Sequence, residues 1–131
     1  MRSWPRRSDC ATAATPDLTV MQPHGRMTAA LQALAAQVHE TPAQVARTLF
    51  GELVRAFDEI DTGMAQGDAD AVARATHAAR NSVLMLDDPQ MLAGLRTLET
   101  AVIRGDDAAT ALARSEVAGR WERLAAQLIA V

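Results

Sequence analysis

The stretch ATHAARNSVLMLDDP, residues 75–89, places one histidine in a run that otherwise reads as an amphipathic helix. Three and four residues after His77 stand Arg80 and Asn81, and three and four before it stand Arg74 and Ala73. On a helix these are the positions that stack around the imidazole, with Leu84 one turn further along the same strip. An unperturbed imidazole is largely neutral in a cell, so one ring nitrogen is available as a nucleophile. The neighbouring arginines supply positive charge. No Asp, Glu or Cys occupies a neighbouring helical position, which argues against a catalytic triad or a metal pair built on this histidine. Two readings of the residue follow: a single reactive group for which the helix exists, or a surface histidine with no role.

A helix must hold that strip in place. Val72, Ala75/Thr76, Ala79, Val83 and Leu86 recur at spacings of three and four and form a buried seam, which leaves His77 at or beyond its edge. The flanking sequence is punctuated in the same way. Leu31, Leu34, Ala35 and Val38 mark a first helical face. Thr41-Pro42 supplies an N-cap and a proline at the first helical position. The helix it opens carries Val45, Leu49, Leu53, Ala56, Ile60 and Met64, widened by Phe50 and Phe57, and stops at Gly67. Asp68 caps the helix of His77. Asp87-Asp88-Pro89 ends it and starts another, with Leu92, Leu95, Leu98 and Val102 before Gly105. Asp106-Asp107 opens the last, with Leu112, Val117, Trp121, Leu124 and Leu128. No segment alternates with period two. The expected fold is all-α: an antiparallel up-down four-helix bundle preceded by a short additional N-terminal helix.

Composition agrees and narrows the function. The chain has 131 residues, 49% apolar but only 3% aromatic, so a single core of Ala, Leu, Val and Met is expected. Residues 1–26 contain three prolines and no helical period and read as a flexible leader, with Met21 and Met27 as alternative starts; 27–131 form the helical domain. All thirteen basic residues are arginine, a pattern that fits GC-rich bacterial coding. The net charge of −3, with no basic block beyond Arg6-Arg7, excludes nucleic acid as the expected partner. No apolar run approaches the roughly 20 residues of a membrane span, and none follows Arg6-Arg7 as an export signal would require. The single Cys10 fits a reducing, cytoplasmic setting. The acidic clusters DDP and GDD lack the spacing of a calcium loop and serve as caps. His39 is expected as a cap residue at a helix end, His24 and Trp4 as leader residues, and Trp121 as core. No metal site and no Gly-rich phosphate loop is present in the sequence.

The stretch from about residue 41 to 128 resembles the histidine-containing phosphotransfer (Hpt) domains of bacterial phosphorelays. The residues that carry the resemblance are Leu49-Phe50, the turn Gly67-Asp68, HAARNS at 77–82, Leu98-Glu99 and a second turn, Gly105-Asp106. The resemblance implies a bundle of four helices and a carrier that accepts a phosphoryl group on His77 from a receiver domain's aspartyl-phosphate and passes it to another receiver. It implies Arg80 as the exposed cation that offsets phosphoryl charge, and Ala73, Arg74, Asn81 and Leu84 as the docking surface. The partners would be a response-regulator receiver and a hybrid sensor kinase. There would be no cofactor of the chain's own, Mg2+ coming with the receiver, and the protein would work as a monomer. Two positions depart from the family pattern: Asn81 stands where a glycine is usual four residues after the histidine, and Asp87 where a second glycine is common. Asn81 leaves open the alternative of an adaptor that binds a receiver or kinase without carrying phosphate.

Overall fold

The computed structural model describes residues 23–131, and among them the chain is all-helical with no strand. Five helices follow one another: α1 (Pro23–Val38), α2 (Pro42–Gln66), α3 (Ala69–Leu84), α4 (Pro89–Arg104) and α5 (Asp107–Ile129). α1 packs on α2, α2 on α3, α3 on α4 and α4 on α5, and α5 closes back on α2. Residues 1–22, including Trp4 and Cys10, lie outside the described residues.

The connections show why these boundaries fall where they do. Thr41 and Gln44 form a reciprocal capping box: the Gln44 N–H donates to Thr41 Oγ1 at 3.1 Å, and the Thr41 N–H to Gln44 Oε1 at 2.8 Å. Gly67 (φ 67) and Gly105 (φ 70) take the left-handed conformation that ends a helix without a Cβ clash. The following residue is in each case an aspartate whose backbone N–H closes the old helix, to Gly63 O at 2.9 Å and to Ala101 O at 3.1 Å. Its side chain opens the new helix, accepting from Ala71 N–H and Ala109 N–H, both at 3.0 Å. One Gly-Asp pair thus ends one helix and starts the next. At the α3–α4 turn Asp87 adopts φ 54. That is the left-handed backbone a glycine accepts freely and Asp tolerates better than most residues. The Arg26 guanidinium holds its carboxylate with two hydrogen bonds, of 3.2 and 2.9 Å.

Three sequence expectations need correction. The N-terminal helix is not short: at 16 residues it equals α3 and α4, and residues 23–26, expected in the leader, belong to it. Pro23 reads as a breaker in sequence, yet proline is compatible with a first helical turn. Met27 is only 2% exposed. Leu112 is 64% exposed rather than core. The α5 seam runs through Thr110, Ala113, Val117, Leu124 and Leu128. Leu112 lies five residues from Val117, about 140° around the helix. Thr110 takes the inward place instead, its hydroxyl donating to Asp106 O at 2.8 Å. Val38 is likewise exposed. The buried row of α1 stops at Ala35, whose carbonyl accepts from Glu40 N–H as His39 turns left-handed (φ 58).

The remaining core follows the expected spacings. Leu53, Ile60, Val72, Val83, Leu86, Leu95, Leu98 and Val117 are fully enclosed. Trp121 is half-buried, with its ring centroid 5.6 Å from Phe50 and 5.1 Å from Phe57, so the few aromatic side chains join α5 to α2. Gly63 sets the approach of α2 to α3: a Cβ there would lie 2.8 Å from Val72 Cγ2 and 3.2 Å from Val72 N. Gly63→Ala is therefore expected to destabilise the fold by about 1–2 kcal/mol, overpacking outweighing the better helix propensity of alanine. Denaturant unfolding of Gly63→Ala, Val72→Ala and the double variant checks this; the double should lose less than the two single losses together.

Candidate functional site

α3 buries Val72, Ala75, Thr76, Ala79, Ser82 and Val83. Thr76 hides its hydroxyl by donating to Val72 O at 2.7 Å. The opposite strip, Asp70, Arg74, His77, Asn81 and Leu84, is exposed along its whole length. His77 sits at the centre of this strip, eight residues from the start of α3 and seven from its end. Among the described residues nothing hydrogen-bonds to its imidazole. His77 lines neither the groove between α2 and α3, which takes in Arg74, nor those between α4 and α5. The ring stands on the exposed face of α3, where a second macromolecule can reach it.

The expected neighbours separate into two groups. Arg74, Asn81 and Leu84 (60% exposed) share the outer strip with His77, and Ala73 is half-buried at its edge. Arg80 is different from the exposed cation expected. Its side chain is 25% exposed and turns toward α4, where Nη1 donates to Glu99 Oε1 at 2.5 Å. Glu99 is itself only 21% exposed, and Arg80 Nε is buried without a hydrogen-bond partner among the described residues. The pair links the two halves of the sequence motif, HAARNS and Leu98-Glu99, through a direct contact between α3 and α4. Ser82, the last residue of that motif, is buried and donates to Glu52 Oε1 on α2 at 3.2 Å. α3 is thus braced toward α4 and toward α2 by polar contacts made three and five residues after His77.

Ile103 was not singled out in the sequence. It is 70% exposed and lies four residues after Glu99, one turn further along α4. Its signal was there to read: an isoleucine off the Leu92–Leu95–Leu98–Val102 seam. His39 fills a backbone role as the left-handed residue after α1, and His24 falls within α1. Among the described residues no cluster of His, Cys, Asp or Glu is arranged to hold a metal ion, and no helix is long and apolar enough to cross a membrane.

Family models, curated proteins and solved structures were all compared with this chain, and none matches.

Because His77 is exposed and its imidazole makes no hydrogen bond among the described residues, His77→Gln should change unfolding free energy by no more than about 0.5 kcal/mol. A thermal melt checks this. A large loss of stability would mean that the imidazole has a structural partner.

Proposed function

We propose that the protein is a phosphoryl carrier of the Hpt type, with α2–α5 as an antiparallel four-helix bundle and His77 as the phospho-acceptor. The exposed, unengaged imidazole at the middle of a helix braced on both flanks is the observation that most supports this reading. Two-residue connections at Gly67-Asp68 and Gly105-Asp106 favour reversal of successive helices, as such a bundle needs.

In this reading a ring nitrogen of His77 attacks the phosphorus of a receiver's aspartyl-phosphate. A P–N bond forms, the P–O bond to the aspartate breaks, and the carboxylate leaves. The reverse step, on a second receiver, passes the group onward. Negative charge spreads over the phosphoryl oxygens in the transition state, so cations and metal nearby lower the barrier. Arg80 is the nearest cation along the helix on the C-terminal side, and Arg74 on the N-terminal side. Mg2+ and the acidic pocket belong to the receiver, which docks over Ala73, Arg74, Asn81 and Leu84. A hybrid sensor kinase would supply the phosphoryl group in a bacterial cytoplasm.

Asn81 favours a second reading. It is exposed one helical turn from His77, where it adds bulk and two polar groups to the face a receiver would approach. In that reading the protein binds a receiver or kinase without carrying phosphate.

Incubation with phosphorylated receivers separates the two. A carrier takes up acid-labile, base-stable label, and His77→Gln abolishes it. Asn81→Gly should preserve or raise transfer, at a helix-propensity cost of no more than about 0.5 kcal/mol. Binding without label in the wild type, with label gained in Asn81→Gly, would establish the adaptor. Label surviving in His77→Gln would refute both.

A further inference from the structure

Arg80 stands between two places where negative charge can sit. One is Glu99, which it already holds at 2.5 Å. The other is the surface around His77, one turn earlier on α3. Side chains on a helix lean toward its N-terminus, so the Arg80 stem leans toward the turn that carries His77. The guanidinium is nevertheless drawn across to α4, and the pair is three-quarters or more out of solvent at both ends. Screening by water is correspondingly weaker than for an exposed pair. Arg80 Nε, buried and unpartnered, leaves this cation short of its full set of acceptors.

On the carrier reading proposed above, we infer that Glu99 is a positioning residue that competes with the phosphoryl group for Arg80. In the unmodified protein Glu99 holds the guanidinium on α4. A phosphoryl group on His77 carries more charge than a carboxylate and has three acceptor oxygens, so it draws on the same cation. The competition leaves phosphohistidine less stabilised than a free arginine would make it, which favours onward transfer over storage. No bond is made or broken by Glu99, and it does not touch the reacting atoms.

The test uses the full chain and its Glu99→Gln, Arg80→Met and double variants, each checked for folding by circular dichroism. Each is equilibrated with a phosphorylated receiver and, separately, with a small phosphoramidate donor, and the fraction of label on His77 is measured. Glu99→Gln keeps the shape and removes the charge. It should shift the receiver equilibrium toward His77 by roughly fivefold, the upper end for exposed ion pairs, as suits a pair mostly out of solvent. Arg80→Met, which keeps the aliphatic stem, should shift it the other way, and the double variant should behave as Arg80→Met does. If Glu99→Gln labelled as the wild type does, within twofold, the competition would be overturned while the carrier reading stood. An effect of Glu99→Gln that persisted without Arg80 would overturn it too, because Glu99 would then act on the phosphoryl group directly. Should Arg80→Met not fold, the single Glu99→Gln comparison decides. A folded wild type that took no label from either source would refute the carrier reading and this inference with it.

Discussion

The burial of one seam on α3 determines which of its side chains can face outward. Ala75 and Ala79, each two residues from His77, are 2% and 0% exposed. Two residues correspond to about 200° of helical rotation, so a position flanked on both sides by enclosed alanines at that spacing must face away from the core. The seam is made of small residues, and α2 and α4 both pack on α3 across it. The same packing that gives the fold its stability therefore projects His77 outward, midway along a helix whose ends are fixed by Asp68 and by the left-handed Asp87.

Polar contacts then restrict how that helix can move. Ser82 reaches Glu52 on α2, and Arg80 reaches Glu99 on α4. At the α3–α4 turn Arg26 from α1 clamps Asp87. Individually such contacts at or near the surface contribute little to stability. Their geometric effect is larger, because they approach α3 from three other helices and leave its outer strip uncovered. That strip joins an imidazole, one cation (Arg74), one carboxylate (Asp70), an amide and an exposed leucine on one surface. On the proposed carrier reading, a protein partner that brings its own pocket needs only an accessible ring on a rigid helix.

Much of this was legible in the sequence, for local reasons. The α3 seam, the N-cap at Thr41-Pro42 and both Gly-Asp turns depend on short spacings along the chain, and helical periodicity or cap chemistry identifies them. What escaped depends on separations that periodicity does not reach. The partner of Arg80 lies 19 residues away on another helix, and that of Asp87 lies 61 away. Both require the axial register between helices. Leu112 was misplaced because hydrophobicity outranked phase: Thr110, which can satisfy its own hydroxyl within the helix, takes the buried position. The start of α1 was missed because Pro23 signals a break and a helix start equally well.

The decisive property of the proposed carrier is a single reactive phospho-acceptor, the His77 nitrogen. It is tested most directly by treating the protein with a small phosphoramidate donor, without any receiver, and locating the added group by mass spectrometry under alkaline conditions. A carrier of this kind acquires a single phosphoryl group, on His77. No addition, or equal addition to His24, His39 and His77, would contradict it.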